Sequence, residues 1–492
     1  MSERKDPTSL ASDSGRYYTL QAGVILGGLV SMPITTRLLS QYEYGVMSLT
    51  FALVGLGTVV GQLGFGNATT RFYAQHEVGG PAALRKFCEA MLTGALMSSL
   101  LLTALAGIAV AYVAGWSPGN SQVLLALAGI IIVTRVLHTV LFAVYRSRHA
   151  VGAFAAARLG CQWGVIILGT VLLLRRPSAA AVLVATVAVE AAVGWMCVVN
   201  LRRAGILRRL RWSWPIIREA HVYGWPLAFV GAAAIATAYA DRMLIERYLG
   251  LDAVARYAVP YDLTAQLAQA LFLPVQTAVL PTVFRWWATG REPEVRRALS
   301  TLATNLFALA IPVGALFIAL NREIVTMLAS AKYRDSAALT IYLLPGVFLN
   351  ELSFLFAVGL RLSRETRAAA LISIAGAFFN IAVNLVCLPR FGLPAAAAAT
   401  SATYLVVTMA MYRWSRPVLQ LHIRIALLAK STAATLLMLL LVVGAGPVAA
   451  TLPLDVAVRG TLGAVIAGGT LLASDRELRR MLAQTFATQV AS

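Results

Sequence analysis

Long apolar runs of roughly 18 to 25 residues, separated by short polar and basic stretches, make up almost the whole chain. Runs of this length are enough to cross the hydrocarbon core of a bilayer as α-helices, whose backbone groups are satisfied within each segment. An outer-membrane barrel would instead show alternating segments of about ten residues. The runs lie near 17–38, 43–66, 87–113, 121–144, 155–174 and 178–200, then near 223–247, 257–284, 299–320, 338–360, 368–388 and 393–413, with a last pair near 427–446 and 454–473. The pattern therefore predicts an all-α polytopic membrane protein of about fourteen spans. Breaks are marked by Pro and Gly clusters at 117–120, 175–177 and 390–394.

Composition agrees. The chain is 59% hydrophobic and 13% charged, with a mean hydropathy of +0.75, against about 25% charged residues in soluble domains. The net charge of +20 does not point to nucleic acid, because the basic residues sit in short loops and form no continuous stripe or zinc-finger spacing. Cys88, Cys161, Cys197 and Cys387 fall in or beside apolar runs without a CxxC pair, which predicts free structural thiols. The first run is followed by Pro33 and Arg37 rather than a small-residue cleavage site, so it is expected to stay as a membrane helix.

Loop charge sets an orientation. With the N-terminus in the cytoplasm, about 29 of the 41 Lys and Arg fall in inside segments and about 10 in outside ones. This predicts both termini inside. The stretch 201–222 is the longest and most basic connection, and with Trp212 and Trp214 it is expected to lie along the membrane surface. It divides the chain into an N-terminal lobe (1–212), a C-terminal lobe (213–425) and an extra helix pair with a cytoplasmic tail (426–492). The lobes look like copies. Arg37-Leu38-Leu39-Ser40 resembles Arg247-Tyr248-Leu249-Gly250 at an offset of about 210 residues, and basic segments at 145–148 and 361–364 follow the fourth span of each half. Repeats of this kind typify transporters, whose site lies at the repeat interface.

Charges at membrane depth are functional candidates, since each costs about 2.5–3.5 kcal/mol on insertion scales. Arg135 and His138 fall in span four, Glu190 in span six, Asp241, Arg242 and Glu246 in span seven, Asp262 in span eight, and Asn350 and Glu351 in span ten. Arg242 and Glu246 are four apart and can pair on one helix face, which leaves Asp241 to another partner. Asn380 and Asn384 suggest a hydrogen-bonded patch between helices. Glycines between Gly55 and Gly66 suit close packing and bending, and Pro274, Pro281 and Pro312 suit kinks. No HExxH, GxSxG or P-loop motif is present, and no large extramembrane segment is available to hold an enzyme site, so no catalytic residue, metal or resident cofactor is expected.

Three stretches carry a family resemblance. Thr35-Thr36-Arg37-Leu38-Leu39 before Glu43-Tyr44-Gly45-Val46, the run Gly64-Phe65-Gly66-Asn67-Ala68-Thr69-Thr70-Arg71-Phe72, and Ala240-Asp241-Arg242-Met243-Leu244-Ile245 before Leu249-Gly250 resemble helix ends of Wzx-type polysaccharide-repeat-unit flippases. These belong to the multidrug/oligosaccharidyl-lipid/polysaccharide exporter superfamily. Ala255 departs from the family's usual Gly. The resemblance implies a MATE-like fold of two six-helix lobes around a cavity, in the bacterial inner membrane. It implies a polyprenyl-pyrophosphate-linked oligosaccharide as substrate, moved to the outer leaflet, with membrane lipids and polysaccharide polymerase or export proteins as partners. Arg37, Arg71, Arg135, Arg242 and Arg247 are then the candidates for binding the pyrophosphate, which Arg suits by bidentate contact. Asp241, Glu190 and Asp262 are candidates for carrying coupling H+ or Na+. Rival readings are a multidrug or cation antiporter, a lipid II flippase, and a non-transporting component of a polysaccharide synthase complex.

Overall fold

A computed structural model describes residues 7–113, 120–363, 365–475 and 479. Among these the regular elements are all helical. The first eight helices are α1 (Pro7–Leu38), α2 (Gln41–Gly61), α3 (Phe65–Val78), α4 (Pro81–Val113), α5 (Asn120–Ser147), α6 (Val151–Arg175), α7 (Ala179–Arg203) and α8 (Trp214–Leu249). They are followed by α9 (Leu251–Ala288), α10 (Glu292–Ala319), α11 (Asn321–Leu328), a 3-10 helix (Ala331–Leu339), α12 (Thr340–Leu362), α13 (Thr366–Phe391), α14 (Leu393–Leu419), α15 (Ile425–Gly444) and α16 (Leu452–Ser474). Eleven spans among the described residues are long and apolar enough to cross a membrane. By length alone α1, α8 and α9, at 32, 36 and 38 residues, also exceed the roughly 20 residues that a crossing needs. Large apolar side chains such as Leu105, Ile108, Leu174, Phe378 and Leu440 lie on the surface, where hydrocarbon rather than water must cover them.

The repeat seen in the sequence is present in the helices. The α2–α3 pair runs from 41 to 78 and α9 from 251 to 288, an offset of 210 at both ends. The second copy differs at one point. Between α2 and α3 the chain breaks at Leu63 (φ 42°) and Gly64 (φ 77°), whereas α9 runs unbroken through the equivalent position, Pro274. The left-handed backbone at Gly64 suits only glycine comfortably.

The expected breaks at 175–177 and 390–394 fall between α6 and α7 and between α13 and α14. The expected break at 117–119, Arg364 and the tail beyond Asp475 (Arg479 excepted) lie outside the described residues. The connection 201–222 is shorter than the sequence suggests. Because α7 continues to Arg203 and α8 begins at Trp214, only ten residues separate the two helices. Pro215 stands in the first turn of α8, where its missing N–H costs nothing.

The chain packs as two units, 1–258 with 373–396, and 259–372 with 397–492. In the first unit, a core of Phe65, Phe87, Met91, Leu141, Tyr145 and Ile217 binds α3, α4, α5 and α8 together, and Val54, Ile131 and Leu183 join α2, α5 and α7. In the second, α15 and α16 pack on α10 through Leu427, Ala434, Met438 and Leu471. Buried Arg459 on α16 meets Asp455 at 3.3 Å and Glu323 of α11 at 3.7 Å.

Candidate functional site

In the first unit, α2 is the common wall of two charged clusters. Its face toward α8 is built from small residues. The α8–α9 connection reaches Gly45, where an added Cβ would strike the Leu251 carbonyl; a Cβ on Gly55 would lie 3.9 Å from Ile235, and one on Gly64 would strike the Gly224 backbone. The order of these contacts makes α8 antiparallel to α2. Small residues let the two helices approach closely, as is common in membranes. Ser48 sits on this strip, and three residues on, Phe51 turns toward α5.

Asp241 and Arg242 of α8 are buried. Arg242 donates from a terminal nitrogen to Ser48 Oγ at 2.7 Å and lies 4.8 Å over the Tyr239 ring. Tyr257 of α9, wholly buried, donates to Asp241 Oδ2, and the other Asp241 oxygen accepts the Arg242 backbone N–H at 2.8 Å. Adjacent helix positions point about 100° apart, which is why the two charges reach different neighbours. The expected Arg242–Glu246 pair does not form among the described residues. Glu246 is exposed, one turn nearer the helix end, while the Arg242 side chain turns inward to α2.

The second cluster joins α5 and α7. Arg135 Nε bonds Glu190 Oε1 at 2.9 Å, and Thr134 donates to Glu190 Oε2 at 3.1 Å. The Arg135 guanidinium lies 5.4 Å from the Phe51 ring centre. Arg135 is fifteen residues from the start of α5 and Glu190 eleven from the start of α7, so both stand near the midpoint of their helices. Glu190 is 6% exposed and the Arg135 side chain 34%. The carboxylate holds the guanidinium through Nε alone. Among the described residues the two terminal nitrogens of Arg135 make no hydrogen bond, and that is the edge with which arginine grips a phosphate. Buried His138 stacks on Phe142 with ring centres 5.1 Å apart.

The remaining candidates are spread out. Arg37 ends α1 and Arg247 lies in the last turn of α8, both exposed near the Gly45–Leu251 contact. Arg71 is exposed on α3, next to Phe72, which touches Tyr223 at the other end of the α2–α8 ladder. From Ser48 to Arg71 the chain climbs roughly 30 Å at the helical rise. Asp262, half-buried on α9, belongs to the second unit. Asn380 and Asn384 are wholly buried, and Asn384 Nδ2 bonds the Asn380 carbonyl at 2.9 Å within α13.

One residue in the second unit was undervalued by sequence reasoning. Glu351, twelfth of the 23 residues of α12, takes its hydrogen bonds from Gln276 of α9, at 2.9 Å to Oε2. Among the described residues it has no cationic partner. Its signal in the sequence was a carboxylate at mid-span with no Lys or Arg within a helical turn or two.

A family model described as "polysaccharide biosynthesis protein" matches residues 34–338. The chain belongs to this family. Besides the polysaccharide biosynthesis proteins that the model describes, the chain is 23% identical over 193 residues to an uncharacterized membrane protein of Methanocaldococcus jannaschii. That match covers 39% of this chain and 38% of the relative, so the chain matches well under half of its length. Among solved structures, the lipid II flippase MurJ in an inward closed conformation superposes with a TM-score of 0.73 at 13% identity, covering 95% of this chain and 99% of that one. An inward-facing multidrug resistance MATE family transporter of the MOP superfamily gives 0.62 at 14% identity, covering 82% and 94%. At these identities the likeness is one of fold. This polysaccharide biosynthesis protein is a multi-pass membrane protein of the MurJ and MATE fold.

Proposed function

We propose that the protein is a flippase that moves polyprenyl-pyrophosphate-linked oligosaccharide repeat units from the cytoplasmic to the outer leaflet of the bacterial inner membrane, with both termini in the cytoplasm. The observation that carries this reading is the convergence of Arg135 and Arg242 on one turn of α2, through Phe51 and Ser48, in a chain of the polysaccharide biosynthesis family. A pyrophosphate head group needs cations at membrane depth, and Arg supplies paired donors. The free edge of Arg135 receives the head group near mid-depth. Ser48 and Arg242 lie about one turn further toward the α1–α2 end, the end that the loop charges put outside, and take it next. The sugar follows the head group while the polyprenyl tail stays in lipid.

The reading assigns no chemical step to the protein; binding and release are its whole task. One fold neighbour is named a lipid II flippase, which fits a lipid-linked anionic head group better than an organic cation, for which acidic and aromatic contacts would be wanted. Coupling to H+ or Na+, if the cycle uses it, falls to a carboxylate without a cation beside it. Glu351 fits that role on geometry, whereas Glu190 is engaged by Arg135. Polysaccharide polymerase and export proteins are the expected partners.

The test is deletion of the gene. Lipid-linked oligosaccharide should accumulate facing the cytoplasm and be cleared by the wild-type gene but not by Arg135→Ala. Normal lipid-linked sugars together with raised drug sensitivity would replace this reading by that of a drug exporter.

A further inference from the structure

The connection 204–213 is held in place in a way that loop charge alone does not explain. Glu89 of α4 is 3% exposed. Its Oε1 accepts the backbone N–H groups of Arg208 at 2.9 Å and Arg209 at 3.1 Å, and Thr93 Oγ1, one turn on, accepts that of Arg211 at 3.0 Å. Ile206 and Leu207 are buried in the α4–α5 core just before. Glu89 thus spends its charge on the backbone and not on a guanidinium. Arg208, Arg209 and Arg211 all point outward and form no ion pair among the described residues. Beside them Trp212 and Trp214, both more than half exposed, stack with ring centres 6.4 Å apart.

The depth of this strap follows from α4. Glu89 is the last charged residue of that helix; residues 90–113 carry none. At 1.5 Å per residue they span about 36 Å, enough for a hydrocarbon core of about 30 Å. A strap tethered at Glu89 and Thr93 therefore lies where hydrocarbon meets head groups, the level that Trp favours. The second half carries the same device without the charge. On α10, Ser300 accepts the His422 N–H at 3.0 Å and Thr304 the Arg424 N–H at 3.3 Å, 211 residues on from Glu89 and Thr93. There Arg424 itself faces Asp475 at 3.7 Å, and beside it Arg291 meets Glu294 and Arg296 meets Glu292.

We propose that the strap 206–214 is a preformed binding site for the phosphate head groups of anionic phospholipids. Arg208, Arg209 and Arg211 bind the phosphates, stacked Trp212 and Trp214 seat the acyl–glycerol boundary, and Glu89 holds the backbone that aims them. The choice of lipid over a protein partner rests on the depth, the unneutralised arginines and the interfacial tryptophans together.

The test uses the full chain, purified and delipidated in detergent, with phosphatidylglycerol or phosphatidylcholine added and retained lipid counted by native mass spectrometry. Wild type should retain phosphatidylglycerol preferentially. Each basic residue at an anionic surface contributes about fivefold in partitioning, so R208A/R209A should lower that preference by about 25-fold at an unchanged melting temperature. R291A/R296A, which removes the same charge from paired positions, should leave it within about twofold. Glu89→Ala separates a built site from bulk charge. It makes the protein more positive, yet by freeing the strap it should weaken phosphatidylglycerol retention. Equal losses in the two double variants, tighter retention in a folded Glu89→Ala, or no preference in wild type would each overturn the proposal. The last result would leave the strap as a protein-docking surface.

Discussion

Arg135 can be separated from the ion pair that holds it. In Arg135→Ala, Glu190 keeps only Thr134 as a partner among the described residues while 6% exposed. Stranding one member of a fully buried pair costs about 3–5 kcal/mol. A third of the Arg135 side chain is open, so a smaller loss than that range, about 2–3 kcal/mol, is expected here. The swap R135E/E190R puts opposite charges back on the same two helices and should recover most of this loss. Transport should not recover with it. A charge-assisted hydrogen bond is worth about 1.5–3 kcal/mol, so losing the guanidinium edge on α5 should slow head-group capture by about one to two orders of magnitude. The swapped arginine would start from α7, away from Phe51, and aim its edge elsewhere. The assay is flipping of a fluorescent lipid-linked oligosaccharide in proteoliposomes, with thermal melting of the same samples. If the swap restores melting and transport together, Arg135 is only half of a structural pair and the head-group role is wrong.

Other expectations follow from single contacts. Tyr257→Phe keeps the buried shape but removes the donor to Asp241, and should cost about 1.5–3 kcal/mol by melting; an unchanged transition would mean that the bond contributes nothing net. Gly64→Ala meets both a left-handed backbone and the Gly224 backbone, whereas Gly80→Ala meets only the first, since nothing lies within 4 Å of it. Gly80→Ala should therefore lose roughly 1–2 kcal/mol and Gly64→Ala clearly more, and equal losses would show that α8 yields. If Glu351 carries the coupling ion, Glu351→Gln should flip substrate at a rate no longer accelerated by an imposed pH or sodium gradient; a retained response to both gradients would remove Glu351 from that role.

Much of this fold is legible from the sequence because the solvent is hydrocarbon. Spans must be long, apolar and helical, so run length alone places α4 through α7, α10 and α12 through α16 closely, while the short α11 shows in no run. Limits at the ends of spans were harder to read. The polar residues of α3 and the first turns of α8 are helical beyond the apolar run, since helix–helix contact such as Phe72 on Tyr223 continues past the bilayer edge. The site was legible as residue types but not as partners. Spacing on one helix suggested Arg242 with Glu246, yet Ser48 won, 194 residues away, because the small-residue strip on α2 lets α8 come close. Contacts of that range leave no local period for a sequence to show.

The two halves diverge where asymmetry serves the proposed task. A strict repeat would give α9 the break that Leu63 and Gly64 give α2–α3, and would give α4 the hydroxyl that Ser300 gives α10. Instead the first copy holds a strained turn pressed against α8, and a carboxylate that frees a set of arginines. Both depart from the cheaper option. A left-handed Leu63 is strained, and a buried carboxylate must be fully satisfied to be tolerated. Stability alone does not select for either.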